Sequence, residues 1–142
     1  MAIPLQIVFD CANPERLATF WAAALHYNVQ DPPDGFVSWE AFFESEHTPP
    51  AERNVFSAIV DPEKKGPRIY FQRVPESKTI KNRLHLDINA STVVPRAEAR
   101  PAVEATVQRL TALGARELYR RDEHNEFWVT MIDPEGNEFC IQ

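Results

Sequence analysis

The sequence predicts an α+β fold: two βαβββ modules forming a cup-shaped mixed sheet, with the helices on the outside. Three observations point there. The order strand, helix, several strands occurs twice, over residues 1–75 and again over 82–142. Each half holds one helix with a single apolar stripe, which must be buried against a sheet. The strands alternate, so one face of each is built to pack and the other is polar. The halves share this pattern but little sequence, and together they make one domain spanning 1–142.

In the first module, Ile3 to Cys11 reads as a strand, with Leu5, Ile7, Phe9 and Cys11 on one face. Asn13 can cap a helix, Pro14 suits its first position, and Glu15 places a negative charge in its first turn. Leu17, Phe20, Trp21, Ala24 and Leu25 follow at helical spacing, and the helix should stop near His26 to Asn28. Val29 and Gln30 form a short strand before the turn Asp31-Pro32-Pro33-Asp34-Gly35. Phe36 to Phe43, carrying Trp39, is read as a strand, and so are Val55 to Val60 and Arg68 to Val74. In the last of these, Ile69 and Phe71 oppose Tyr70, Gln72 and Val74.

The second module opens with Asn82 to Ile88, a strict alternation in which Leu84, Leu86 and Ile88 share one face and His85 and Asp87 the other. The apolar face should anchor the second helix, Pro101 to Leu113, which Gly114 terminates. Strands are expected over Ala115 to Arg121, Phe127 to Ile132 and Glu138 to Gln142, joined by turns at Asp122 to Asn125 and Asp133 to Asn137.

Charge and composition narrow the partners. Fifteen Lys and Arg against twenty-one Asp and Glu leave a net charge of −6. An acidic chain without a basic run is poorly suited to nucleic acid or an anionic membrane. No apolar run approaches the length of a membrane span. With no secretory signal ahead of the first strand, Cys11 and Cys140 are expected to be free thiols in a reducing cytoplasm.

Three stretches give the chain a resemblance to the glyoxalase/bleomycin-resistance/dioxygenase group, the vicinal oxygen chelate superfamily. They are Asn13-Pro14-Glu15 running to Phe20-Trp21, Asn82-Arg83-Leu84-His85-Leu86-Asp87, and Asp133-Pro134-Glu135-Gly136-Asn137-Glu138-Phe139-Cys140. Within the group it looks most like the single-domain glyoxalase-like proteins of actinobacteria. The resemblance implies a cup with a site inside it. It also implies metal ligands on the first and last strands of each module. Carried across, those positions are Gln6, Gln72, His85 and Cys140, with Glu138 two residues before Cys140. Relatives that bind metal usually have glutamate where Cys140 stands, and two of the four positions here are neutral amides. A divalent metal is therefore a candidate cofactor with an unusual ligand set.

His85 is the candidate catalytic residue. A histidine beside a carboxylate can act as acid or base on a bound ligand. The same pair also serves as an ordinary hydrogen-bonded couple. Gln6, Trp39, Tyr70, Gln72, His85, Asp87, Trp128 and Cys140 form the expected ligand pocket. The resemblance leaves two functions open. One is an enzyme of lyase, isomerase or dioxygenase type acting on a small organic molecule. The other is a bleomycin-resistance-type protein that sequesters a drug or metabolite without chemistry. Related single-domain proteins are often homodimers.

Overall fold

The computed structural model describes residues 1–124 and 126–142. The chain divides into two units, Met1–Ser77 and Lys78–Gln142.

The first unit runs β1 (Ile7–Cys11), α1 (Pro14–Leu25), β2 (Asn28–Val29), α2 (Trp39–Ser45), β3 (Phe56–Val60) and β4 (Ile69–Arg73). Its four strands lie in the order β1-β4-β3-β2, with β1 and β4 parallel and the other pairs antiparallel. The capping read from Asn13-Pro14 is realised: Asn13 Oδ1 accepts from the Arg16 N–H at 3.1 Å, and Pro14 occupies the first turn. His26, at φ 58°, ends the helix in the left-handed region. Leu17, Phe20, Trp21 and Ala24 are buried, as are Ile59, Ile69 and Phe71 of the sheet. The Phe9 ring bridges the layers, 5.3 Å from Trp21 and 5.3 Å from Phe71 between centroids.

Two expectations for this unit are corrected. The first strand begins at Ile7 rather than Ile3, and Ile3 and Leu5 are exposed. Pro4 has no N–H to give a ladder, which disfavours regular pairing there. Phe36 to Phe43 is not a strand. Ser38 caps a helix instead, accepting from the Ala41 N–H at 3.1 Å, and Trp39, Phe42 and Phe43 fall at i, i+3 and i+4. By strand alternation Phe56 and Tyr70 lie on the sheet face opposite Phe71. The rings of Trp39 and Phe43 meet Phe56 there, 5.6 Å and 6.2 Å away. The second helix thus roofs part of the face that α1 leaves open.

The second unit runs β5 (Asp87–Ile88), α3 (Ala99–Ala112), β6 (Arg116–Glu123), β7 (Glu126–Ile132) and β8 (Glu138–Ile141). Its order, β5-β8-β7-β6 with β5 and β8 parallel, repeats that of the first unit. Two single turns of 3₁₀ helix, Ala90–Val93 and Arg96–Glu98, lead into α3. Val103, Val107 and Leu110 are buried, with Val129, Met131, Phe139 and Ile141 as the sheet's apolar side. Gly114, at φ 106°, lets the Ala115 N–H reach back to the Leu110 carbonyl at 3.0 Å. Of the turn expected at Asp122 to Asn125, Asp122 and Glu123 belong to β6 instead, and Asn125 lies outside the described residues.

The stretch Asn82 to Ile88 is only partly the strand its alternation suggests. Regular pairing covers Asp87 and Ile88, extended by the Cys140 N–H donating to the Leu86 carbonyl at 3.0 Å. Leu84 is 72% exposed and anchors nothing. Side chains hold the earlier residues in place of a ladder. The Asn82 N–H donates to Glu138 Oε2 at 2.9 Å, the Glu138 N–H returns to Asn82 Oδ1 at 3.4 Å, and Lys78 Nζ lies 3.3 Å from the same carboxylate. Burial by itself would raise the Glu138 carboxyl. The Asn82 N–H and the Lys78 ammonium outweigh it and hold the group below the usual carboxylate range.

Candidate functional site

In the second unit, the parallel pairing of β5 with β8 sets Asp87 beside Cys140, and the antiparallel pairing of β8 with β7 sets Cys140 beside Thr130. His85 precedes Asp87 by two residues. Its Nδ1 lies 2.8 Å from Asp87 Oδ1. One donor atom from each of His85, Asp87 and Cys140 falls within 4.8 Å of the others. The set offers an imidazole nitrogen, a carboxylate oxygen and a thiol sulfur. That chemistry fits a divalent ion of the zinc type, and three protein ligands leave room for a further one. His85 and Asp87 keep 45% and 39% of their side chains exposed, so a small molecule can reach the trio. Thr130 Oγ1 lies 3.4 Å from Cys140 Sγ. Burial pushes the Cys140 thiol up, the Thr130 hydroxyl opposes this, and the Asp87 carboxylate reinforces it. The thiol is therefore protonated at neutral pH and must lose its proton to bind a metal.

The other expected positions are distributed differently. Gln6 and Gln72 belong to the first unit, where their amides are already engaged. Gln6 Oε1 accepts from Arg68 Nη1 at 2.6 Å, and Gln72 Nε2 donates to Asp10 Oδ1 at 2.7 Å. Tyr70 stacks on Phe56 at 6.1 Å and lies under the Arg68 guanidinium at 5.2 Å. Trp39 Nε1 donates to the Gln30 carbonyl at 2.8 Å. Trp39 also lines a cavity of about 670 Å³ in the first unit, with Phe43, Phe56, Ala58, Arg53 and Arg68. Trp128 lines a separate cavity of about 530 Å³ in the second unit, with Asn89, Arg100, Phe127 and Gln142. Neither Cys11 nor Cys140 forms a disulfide among the described residues.

Asp87 is expected from the sequence as a pocket residue beside His85, but not as a neighbour of Cys140. The register that puts it beside Cys140 is a non-local pairing that no local pattern announces. Arg68 carries no local signal in the sequence beyond opening the strand Arg68 to Val74.

Residues 6–142 match the model of the glyoxalase-like domain, and the chain belongs to that family. The fold is that of the wider glyoxalase/bleomycin resistance/dioxygenase group. A possible glyoxalase from Bacillus cereus aligns over 100% of this chain and 99% of its own, with a TM-score of 0.64 and 13% identity. A glyoxalase/bleomycin resistance protein/dioxygenase family enzyme from Burkholderia phytofirmans aligns over 96% and 94%, with a TM-score of 0.60 and 16% identity. A mutant of the fosfomycin resistance protein FosX from Listeria monocytogenes, in complex with Mn(II) and 1S,2S-dihydroxypropylphosphonic acid, aligns over 100% and 90%. Its TM-score is 0.62 at 12% identity. Likeness at these identities shows the fold. No curated protein matches the sequence. Among the described residues, no helix is long and apolar enough to cross a membrane.

Proposed function

We propose that the protein binds a small oxygenated organic molecule and acts on it as a lyase or isomerase at a metal held by His85, Asp87 and Cys140. One observation carries this reading: three donors of different chemistry converge within 4.8 Å, two of them on paired strands and His85 just ahead of β5. The presence of Mn(II) in the FosX complex supports a metal on this fold. A metal bound here would polarise a carbonyl or hydroxyl oxygen of the ligand. The Asn82–Glu138 clamp holds the segment that presents His85. The exposure of His85 and Asp87 admits the ligand. The contact between His85 Nδ1 and Asp87 Oδ1 holds these two donors side by side.

The experiment is metal analysis of purified protein after incubation with zinc, manganese, nickel or iron salts. One equivalent is expected, and His85→Ala should abolish it. The affinity should also depend on pH. Because the Cys140 thiol is raised, metal entry must displace its proton, so affinity should rise about tenfold per pH unit between about pH 7 and 8. Cys140→Ser should flatten that slope. A protein that takes up none of these metals would remove the metal-dependent form.

The second reading is sequestration of an organic molecule without chemistry. It is favoured by the aromatic cavity of the first unit, whose lining includes none of the trio. Ligand-dependent thermal stabilisation without turnover supports it, and consumption of the ligand rejects it.

A further inference from the structure

The cavity of the first unit carries its own recognition element. Arg68 is half-buried on its wall, yet no carboxylate pairs with it among the described residues. Two neutral amides hold the guanidinium: Gln30 Oε1 accepts from Nε at 2.7 Å and Gln6 Oε1 from Nη1 at 2.6 Å. The Tyr70 ring supports it at 5.2 Å. An arginine has five N–H donors in a fixed fork. Three of them here, one on Nη1 and both on Nη2, meet no protein acceptor among the described residues. Amides orient a cation without neutralising it, so the charge is left for something else. Of the other charged groups on the lining, Arg53 is paired with Glu40. The carboxylate of Glu15 is exposed and makes no ion pair among the described residues. Gln30 ties the arrangement together, because its backbone carbonyl also holds the indole of Trp39. Trp39, Phe43 and Phe56 add broad apolar walls.

We propose that this cavity binds an aromatic carboxylate. Arg68 takes the carboxylate end-on through Nη1 and Nη2, and the rings of Trp39, Phe43 and Phe56 cover the aromatic body. A guanidinium whose orientation is already fixed loses little freedom on binding and matches a carboxylate in a two-point contact. The volume of about 670 Å³ lies within the range of organic-ligand pockets. In a chain of net charge −6, such a local fixed cation offsets the repulsion an anion would meet. The site is made entirely by the first unit. It stands whether or not the trio holds a metal or the ligand is transformed.

The test compares phenylacetate with phenylacetamide, titrated by calorimetry into the full chain with EDTA present. Phenylacetate should bind saturably and the amide at least fivefold more weakly. Arg68→Gln should erase that preference, and Arg68→Lys, which keeps the charge but loses the fork, should retain part of it. The indole N–H resonance of Trp39, assigned by Trp39→Phe, should shift with phenylacetate while that of Trp128 stays in place. Equal binding of acid and amide, no binding of phenylacetate, an unchanged preference in Arg68→Gln, or a shift at Trp128 in place of Trp39 would each overturn the proposal. The acid-to-amide comparison in the unsubstituted protein decides the matter even where Arg68→Gln fails to fold. With EDTA present, either outcome leaves the metal reading untouched.

Discussion

Trp21→Ala should cost about 3–5 kcal/mol of stability, the largest loss expected from any single substitution in the chain. Trp21 is 1% exposed, is packed edge-on against Phe20 at 5.6 Å, and leans on Phe9 at 5.3 Å. It is the bulkiest side chain on the α1 stripe, and the sheet beneath it is built of Ile59, Ile69 and Phe71, none of which can move to fill the space. The loss combines forfeited burial with the residual cavity. A melting curve followed by circular dichroism should show the first transition fall by roughly 10 °C or more. Trp21→Phe should recover most of it. A shift of only a degree or two for Trp21→Ala would mean that α1 does not depend on this contact.

Asp133→Ala is the second large effect, and it reaches the site as well as the fold. The Asp133 side chain is 3% exposed. Its Oδ1 accepts from the N–H groups of Glu135 and Asn137 at 2.9 Å and 3.0 Å. Asn137 Nδ2 donates to both oxygens, at 3.1 Å and 2.9 Å. Removing the carboxylate strands two turn amides and a side-chain amide in a poorly solvated turn, at a cost of about 3 kcal/mol. The turn also delivers β8, with Glu138 and Cys140, at a set angle; Gly136, at φ 86°, supplies the left-handed residue it needs. Chemical denaturation should therefore show lower stability, and metal affinity should drop in the same variant. Asp133→Asn keeps one acceptor and should lose less. Equal losses for the two variants would place the effect elsewhere than in these hydrogen bonds.

Much of the fold is legible because the signals are local. Asn13-Pro14-Glu15 states a helix start by its own chemistry, Gly114 states a stop, and Asp133 to Asn137 states a turn. The repeated topology follows from the order of such signals. The readings that went astray involve competition or distance. Phe36 to Phe43 is rich in aromatics and suggests an extended segment, but the Ser38 cap and the spacing of Trp39, Phe42 and Phe43 win once these rings can meet Phe56. Asn82 to Leu86 alternates like a strand, yet the clamp to Glu138 holds it where a ladder would otherwise run.

The site was legible to the same degree. His85 and Cys140 are candidates from the alternation and the family resemblance. Asp87 joins them as a candidate third ligand only through the β5–β8 register, a pairing across more than fifty residues of chain. The expected amide ligands Gln6 and Gln72 already have partners, Arg68 and Asp10, and their hydrogen bonds could be read only from the folded first unit.

Cobalt(II) titration tests the central claim most directly, because a thiolate bound to cobalt gives a near-ultraviolet charge-transfer band. The band should saturate at one equivalent, persist in Cys11→Ser, vanish in Cys140→Ser and weaken severely in His85→Ala. No band in the unsubstituted protein, or a band that survives Cys140→Ser, would contradict that claim.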